Sequence, residues 1–256
     1  MKTAAIIQAR MNSSRLPGKV LTNLAGKPML WHVVNRTLRA ERIDQVVVAT
    51  SDQDSDDPIA EFCKIRGIYC FRGSLDDVLD RYHSCARDIR TDNIVRITAD
   101  CPLLDSGVID SLIRFFMEGG YDFASTGVAR TTFPDGISVE IFTQEVLEYT
   151  WARAALKSER EHVMPYFHKH PARFRIGEIH HDPDLSDLRW TVDEKPDLDF
   201  ARQVYDEFEE AYFSMDDILD LLERKPELMH INSHFIRDEG YLKSLSQDSV
   251  FQGPEG

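Results

Sequence analysis

Short apolar runs alternate with helical patterns through the first half of the chain, and this alternation limits the fold more than any other feature. The runs TAAIIQA, QVVVAT, GIYCF, NIVRIT and YDFAS are rich in β-branched and aromatic residues and predict buried strands. Between them, PMLWHVVNRTLRA, DPIAEFCKIRG, SLDDVLDRYHSCARDI and SGVIDSLIRFFMEGG predict helices. The alternation therefore predicts an α/β fold with a mainly parallel sheet and helices on both faces.

The pattern changes after residue 128. ISVEIF, RFRIGEIHH and DLRWTVD predict further strands, and the helices predicted here are TQEVLEYTWARAAL, SEREHVMPYFHKHP, PDLDFARQVYDEFEEA and SMDDILDLLERKPEL. No linker rich in Gly, Ser or Pro divides the chain, so we expect a single domain over residues 1–243, with a substrate and dimerisation lobe around 128–185. Residues 244–256 are polar and end in GPEG, which predicts a flexible tail.

The loop after the first strand is basic although the chain carries a net charge of −14. Residues 1–40 contain seven Lys or Arg and no Asp or Glu. Ligands bind beyond the carboxyl ends of parallel strands, and phosphates are held by turns of small residues together with Lys or Arg. The loop offers Arg10, Arg15 and Lys19 beside a Pro17–Gly18 turn. It matches neither GxxxxGK[ST] nor GxGxxG, so the interpretations are an anion site of another type or a solvated basic surface.

Two aspartates follow predicted strands. Asp100 ends NIVRITAD and Asp193 ends LRWTVD. Either residue alone is most often a helix cap or a turn former. Together, at the same sheet edge as a cationic loop, they have the chemistry to hold Mg²⁺, which takes one or two protein carboxylates and completes its shell with phosphate and water.

Two other groups of candidate metal ligands are weaker. The run TSDQDSDDP contains DxD patterns of the kind that glycosyltransferases use for a metal and a sugar diphosphate, but it also suits the cap of the helix that starts at Pro58. The histidines lack paired helical spacing and neighbouring cysteines, so we do not expect zinc. The histidines considered as ligands are His162, His168, His170, His180 and His181.

Composition limits the cellular compartment and the partners that we expect for this chain. The four cysteines form no CxxC pair, which indicates buried free thiols in a reducing compartment. The apolar start is too short for a signal peptide, and no run is long enough to span a bilayer. The acidic net charge argues against nucleic acid as a partner. We expect a cytoplasmic protein without a membrane or nucleic-acid partner.

The opening IIQARMNSSRLPGKVLTNLAGKPMLWHVV resembles that of the cytidylyltransferases which make CMP-activated acidic sugars, such as the acylneuraminate and 3-deoxy-manno-octulosonate enzymes. The resemblance is greatest to the spore-coat polysaccharide biosynthesis branch. It continues in order through SLDDVLDRY, RITADCPLLD, FPDGISVEIF, EREHVMPYF and LRWTVDEKPDLDF. It implies a Rossmann-like sugar-nucleotidyltransferase fold with a mixed, mainly parallel sheet, transfer of CMP from CTP with release of pyrophosphate, dependence on Mg²⁺, and a homodimer.

The resemblance also implies roles for individual residues. Arg10 and Lys19 would grip the triphosphate, joined by Arg15. Asp100 and Asp193 would be the metal ligands, which makes Arg10, Lys19 and Asp100 the catalytic set.

Contacts to the cytidine are implied at Gln8, Ala9, Thr50, Gly73 and Ser74. The residues implied for the acceptor are Asp135, Glu140, Arg160 and His162.

Other interpretations stay open. The sialic-acid and octulosonate enzymes have different residues where this chain has ADCP and EREH, so the acceptor does not transfer with the reaction type. A glycosyltransferase would place its metal at the Asp52–Asp56 run and release no pyrophosphate. A nucleotide-binding module without catalysis, in a polysaccharide-assembly complex, would bind nucleotide without turnover. Trp151 and Phe167 mark the region where we expect the dimer interface.

Overall fold

A computed structural model describes residues 1–127, 129–209, 212–235, 237, 239–246 and 248–252, without the side chains of residues 239–241 and 243. The described strands are β1 (Thr3–Gln8), β2 (Asn23–Leu24), β3 (Lys27–Pro28), β4 (Gln45–Ser51), β5 (Tyr69–Gly73), β6 (Asn93–Thr98), β7 (Phe123–Ser125), β8 (Glu140–Thr143) and β9 (Ile176–Glu178). The described helices are α1 (Met29–Thr37), α2 (Asp57–Arg66), α3 (Val78–Ile89), α4 (Ser106–Gly119), α5 (Gln144–Trp151), α6 (Lys157–His162), α7 (Pro165–Lys169), α8 (Lys195–Phe208), α9 (Met215–Arg224) and α10 (Glu239–Ser246).

Seven strands form one mixed sheet in the order β5–β4–β1–β6–β8–β7–β9. The first four are mutually parallel, and β8 is antiparallel to both of its neighbours. β2 and β3 form a separate small hairpin. The α/β fold with a mixed, mainly parallel sheet is thereby confirmed.

The sheet core explains the apolar runs. Ile6, Val47 and Ile94 lie toward one cluster of buried side chains and Ile7, Val48 and Val95 toward another, because alternate residues of a strand face opposite sides. A third cluster joins α8 and α9 to the β2–β3 hairpin. The register aligns Gln8 with Thr98, so the loops after β1 and β6 leave the sheet side by side.

The sequence prediction was wrong for DLRWTVD, which is not a strand. One isolated bridge joins Arg189 to Asp135, and the segment then runs irregularly to α8. Its alternating pattern arises because Trp190 and Val192 are buried in the cluster around α8. The helix predicted over SEREHVMPYFHKHP is also divided into α6 and α7, with Val163 between them at φ 67°.

Trp151 and Phe167 pack within the chain. The Trp151 ring stacks on His83 with centroids 4.2 Å apart, and Phe167 is fully buried beside Phe123. Phe167 therefore offers no surface to a partner.

Flexibility of residues 244–256 stays a prediction. Residues 253–256 lie outside the described residues, whereas Lys157 and Phe251 make backbone hydrogen bonds that join residues 249–251 to the segment before α6. In the described chain no helix has the length and apolar character needed to cross a membrane.

Candidate active site

A cavity of about 340 Å³ lies at the carboxyl edge of the sheet, beside the ends of β1 and β6. The loop after β1, the end of β6, α3, α6 and the segment before α8 form its walls. The described residues that line it are Gln8, Ala9, Arg10, Ser13, Ser14, Arg15, Lys19, Val20, Val78, Arg81, Thr98, Ala99, Asp100, Glu161, His162 and Asp193. Most of the phosphate and metal positions predicted from the sequence therefore meet in one place.

The basic loop is held in a defined shape. Gly18 adopts a positive φ of 72°, which glycine tolerates without strain, and its N–H donates to Met11 O at 2.9 Å. Met11 N–H in turn donates to Asp56 Oδ1 at 2.7 Å. The other oxygen of Asp56 accepts from the N–H and hydroxyl of Ser51, and Asp56 is fully buried. This aspartate of the DxD run therefore anchors the loop.

Lys19 lies at the centre of the site. Its Nζ donates to Asp193 Oδ1 at 2.6 Å, to Asp100 Oδ2 at 3.0 Å and to Val192 O at 2.9 Å. The residue is only 7% exposed. Two loops that are distant in sequence are thus joined through one ammonium group.

The contacts shift the pKa values of Lys19 and Asp100. Burial alone would lower the pKa of Lys19, but the attraction of Asp100 and Asp193 outweighs it and raises that pKa. Burial opposes ionisation of Asp100 as well, yet Lys19 and the Thr98 hydroxyl, which donates at 2.5 Å, lower its pKa to about 2. At neutral pH the site therefore holds an ionised carboxylate against a charged lysine.

The two arginines of the loop differ in their contacts. Arg15 pairs with Asp193 at 2.8 Å and with Glu194 at 3.4 Å. Arg10 is exposed at the cavity wall and has no ion pair with a described carboxylate. Arg10 is consequently the loop cation most available to an incoming anion.

A buried network that the sequence analysis missed positions Asp193. The Asp193 N–H donates to Asp197 Oδ2 at 3.0 Å. Asp197 is fully buried and accepts from Arg189 Nε at 2.9 Å and from Asn232 Nδ2 at 2.9 Å. Burial opposes the charge on Asp197, but these donors lower its pKa, and the Asp197 carboxylate raises that of Arg189. Asp197 has a local signal, since a carboxylate in the first turn of a helix often accepts from the N–H groups before it, whereas Asn232 is brought to the network only by the fold.

Gln8 and Ala9 line the cavity, but three other predicted nucleotide contacts do not. Thr50 is fully buried on β4, Gly73 pairs with Ser51 at the end of β5, and the Ser74 hydroxyl accepts from the N–H of Asp77. Their roles in nucleotide binding stay predictions.

Arg81 of α3, which the sequence analysis did not single out, lines the cavity instead. It is 2% exposed, and its Nε and the Gln8 Oε1 have no hydrogen-bond partner among the described residues. Buried polar atoms without partners are uncommon, which makes these two groups candidates for ligand contacts.

Among the predicted acceptor residues, His162 lines the cavity, and its Nε2 lies 2.9 Å from the Ser244 hydroxyl. Arg160 forms an ion pair with Asp77. Asp135 and Glu140 do not line the cavity: Asp135 pairs with Arg189 at 3.1 Å, and Glu140 pairs with Arg96 at 3.1 Å. Glu161, not predicted from the sequence, does line it.

The described residues contain no group of three His, Cys, Asp or Glu side chains placed to hold a metal. The site instead offers two carboxylates, Asp100 and Asp193, that converge on the Lys19 ammonium. Two carboxylates suit Mg²⁺ bound jointly with phosphate and water, since Mg²⁺ seldom has an all-protein shell. The donor set therefore fits a metal that arrives with a triphosphate.

The mixed sheet, with a cationic cavity at its carboxyl edge, is an α/β fold of the nucleotidyltransferase type. Residues 4–229 match the model of the cytidylyltransferase family, and the chain belongs to that family.

The relatives agree with the family. The chain is 33% identical to uncharacterized protein MJ1063 of Methanocaldococcus jannaschii over 243 residues, which are 94% of this chain and 98% of that protein. It is 32% identical to the spore coat polysaccharide biosynthesis protein SpsF of Bacillus subtilis over 87% of this chain and 94% of that protein. A solved cytidylyltransferase from Leptospira borgpetersenii superposes with a TM-score of 0.87 at 33% identity, covering 93% of this chain and 100% of that one.

Proposed function

We propose that this protein transfers CMP from CTP to an acidic sugar or a related acceptor, releasing pyrophosphate, in the biosynthesis of a surface polysaccharide or glycoconjugate. The observation that carries the proposal is Lys19 held between Asp100 and Asp193 in a cavity that Arg10 borders. Membership of the cytidylyltransferase family supports the reaction class, and the likeness to SpsF supports the biosynthetic setting.

The reaction is a direct displacement at phosphorus. An oxygen of the acceptor attacks the α-phosphorus of CTP, a new P–O bond forms, and the bond to the bridging oxygen of the β-phosphate breaks. Pyrophosphate leaves with that bonding pair, and a hydroxyl acceptor loses its proton to water. Catalysis of this kind depends mainly on positioning and electrostatic stabilisation. Arg10 and Lys19 bind the phosphates and offset charge on the departing pyrophosphate.

Asp100 and Asp193 would hold Mg²⁺. A metal there supplies Lewis-acid polarisation and charge neutralisation at the phosphates. Lys19, released from the two carboxylates, would then be free to turn its ammonium toward the nucleotide. The Asp197 carboxylate keeps the Asp193 backbone in place in either case.

The acceptor has room beside the first cavity. A second cavity of about 650 Å³ shares Arg10 and Glu161 with it and also includes Lys157 and Phe251. Arg10 and Lys157 suit a carboxylate or phosphate group on the acceptor. His162 lies where the two cavities approach each other, since Glu161 precedes it and lines both.

The two rival functions have less support. In the DxD run, the two oxygens of Asp56 already accept hydrogen bonds from Met11 and Ser51. The exposed Asp52 and Asp54 do not line the first cavity, so a glycosyltransferase metal there would lie away from the phosphate cations. A non-catalytic nucleotide-binding module has no need for two carboxylates beside the phosphate cations, although only a turnover measurement separates it from an enzyme.

The test is pyrophosphate release with Mg²⁺ and CTP against a panel of acidic sugars, sugar phosphates and phosphonates, with UTP, ATP and GTP as controls. We expect release with CTP and at least one acceptor. Asp100→Asn keeps the side-chain size and should lower the rate on the order of 10²–10³, the cost of losing a preorganised charge partner. The matched control is Asp54→Asn, an exposed aspartate outside the cavity.

CTP binding with wild-type-like turnover by Asp100→Asn would refute the metal assignment. Binding of CTP without release of pyrophosphate on any acceptor would support the non-catalytic module instead. We also propose that the protein is a cytoplasmic homodimer. Light scattering would measure its mass in solution and so test the dimer.

A further inference from the structure

The basic start of the chain contains more cations than the candidate active site uses. Arg10, Arg15 and Lys19 line that cavity. Lys27, Arg36 and Arg39 instead line a separate cavity of about 160 Å³ between α1 and the segment that follows α8. No described residue lines both cavities.

Arg36 is a buried cation whose hydrogen-bond acceptors among the described residues are all neutral. It is 5% exposed, and its guanidinium donates to Phe213 O at 2.9 and 3.1 Å and to Tyr205 Oη at 3.3 Å. These acceptors are neutral. Within the described part of the chain no carboxylate forms an ion pair with Arg36, Arg39 or Lys27. A buried charge is unfavourable unless an opposite charge compensates it, so the arrangement favours an anion from outside the chain.

Aromatic rings hold these cations in place. The Arg36 Cζ lies 4.1 Å from the centroid of Phe213, the Arg39 Cζ lies 4.4 Å from that of Tyr212, and the Lys27 Nζ lies 5.9 Å from that of Trp31. A cation over a ring is attracted to it but keeps its charge. The cavity thus presents three positive charges, none of which pairs with a described carboxylate, on a chain whose net charge is −14.

We propose that this cavity is a second anion site, which binds a phosphate group, either as free phosphate or on a small phosphate ester. The exposed Arg39 guanidinium supplies a planar donor pair that matches phosphate oxygens, whereas Arg36, whose Nη and Nε atoms already donate to Phe213 O and Tyr205 Oη, contributes its charge. A dianion compensates three cations better than a single carboxylate does. Glu209 is the carboxylate among the described lining residues; it is exposed and pairs with none of the three cations. The proposal is independent of the reaction assigned to the first cavity.

The chain contains a reporter for this site. Of its three tryptophans, Trp31 lines the cavity, whereas Trp190 is 1% exposed and Trp151 stacks on His83. Protein labelled with 5-fluorotryptophan would give one ¹⁹F signal for each, with Trp31→Phe assigning the relevant one. Inorganic phosphate and glycerol 3-phosphate are titrated separately at constant ionic strength against sodium chloride. Tighter binding of the ester would identify a phosphorylated small molecule as the preferred ligand. Equal or tighter binding of inorganic phosphate would identify the free ion as the preferred ligand.

We expect a saturable shift of the Trp31 signal. The double variant Lys27→Gln/Arg39→Gln changes two exposed side chains and should weaken phosphate binding at least about tenfold, since the two cations whose donors face solvent are lost. The matched control is Arg42→Gln, an exposed arginine outside the cavity, which should bind as the wild type does. Unchanged Trp151 and Trp190 signals show that each variant is folded.

Three results would overturn the proposal. The first is a Trp31 signal that responds no more to either phosphate probe than to chloride. The second is undiminished affinity in the double variant. The third comes from Lys19→Met, which alters only the first cavity: loss of the Trp31 response in that variant would show that phosphate acts through the candidate active site.

Discussion

Lys19 contacts two carboxylates that lie far apart in the sequence. Because its Nζ lies within 3.0 Å of Asp100 and Asp193, it offsets one of their two negative charges, and Arg15 pairs with Asp193 as well. Any divalent cation that binds the two aspartates must compete with this ammonium. The lysine therefore has two effects: it favours phosphate binding, and it opposes metal binding before nucleotide arrives.

This competition gives a prediction for Lys19→Met. Without the ammonium, two carboxylates face each other and Mg²⁺ relieves their repulsion, so Mg²⁺ alone should raise the Tm of the variant more than that of the wild type. Turnover should fall on the order of 10²–10³, because a phosphate-binding cation is lost. Differential scanning fluorimetry with and without Mg²⁺ measures the first effect.

The control is Lys64→Met, which removes an exposed lysine that pairs with Glu61 on α2. It should respond to Mg²⁺ as the wild type does. Equal Mg²⁺ shifts in Lys19→Met and wild type would mean that Asp100 and Asp193 are not the metal ligands.

The element that positions Asp193 is the first turn of α8 together with the irregular segment before it. Asp197 in that turn accepts from the backbone N–H groups of Asp193 and Glu194, and Arg189 joins it to the preceding segment. Loss of the Asp197 charge would leave Arg189 with Asp135 as its main partner. The buried pair thus fixes the geometry of a candidate metal ligand.

Asp197→Asn should destabilise the protein by about 3–5 kcal/mol at neutral pH, the usual cost of breaking a buried ion pair. The pKa of Asp197 lies below its ordinary value of 3.8 in the folded state, despite the opposing effect of burial, because Arg189 and backbone N–H groups stabilise the charge. A lowered pKa contributes stability above the unfolded value, and that contribution is lost as pH falls through the folded value. The stability difference should therefore stay constant from pH 7 to about 4 and shrink below it.

Urea unfolding of both proteins at a series of pH values measures this difference. Asp199→Asn, two residues further along α8, is the control; its exposed pair with Lys195 should contribute less than about 1 kcal/mol. A difference for Asp197→Asn that persists undiminished to the lowest pH at which the wild type folds would contradict the ion-pair explanation.

The elements also show what local sequence is able to predict. The strands β1, β4 and β6 are continuous apolar runs, and Lys19 and Asp100 follow β1 and β6 closely enough to be placed at one sheet edge. Asp193 was placed correctly beside them although the strand predicted before it does not exist. Arg189 was missed because its contact with Asp135 spans 54 positions. Asp197 was missed although its place in the first turn of α8 is a local capping signal, because that signal does not show that it also holds Arg189.

The same limit applies to Asp56. Its sequence context, TSDQDSDDP, is compatible with a metal motif, a helix cap or a solvated surface. Only the fold shows that its oxygens anchor Met11 and Ser51. A carboxylate that holds backbone N–H groups cannot be distinguished from a metal ligand by spacing alone.

At the scale of the whole molecule, the candidate site lies where two apolar clusters meet. Val20 and Cys101 belong to the cluster on one face of the sheet, whereas Trp190 and Val192 belong to the cluster around α8 and α9. Lys19 joins the two by donating to the Val192 carbonyl and to Asp193. A ligand in this cavity must contact both parts of the molecule.

Binding of CTP with Mg²⁺ should therefore slow amide hydrogen exchange in residues 9–22 and 187–200 together, because local opening of either segment would break contacts to the same ligand. Residues 57–71, which include α2 and most of β5 and line neither the first cavity nor its neighbour, should exchange at unchanged rates. Hydrogen-exchange mass spectrometry on wild type and Asp100→Asn measures both. In the Asp100→Asn variant, protection of residues 187–200 should be lost before that of residues 9–22, since weaker metal binding loosens the link between Asp193 and the nucleotide. Protection confined to 9–22 in the wild type would show that the nucleotide binds to the basic loop without engaging the α8 side, and Asp193 would then have no part in holding the metal.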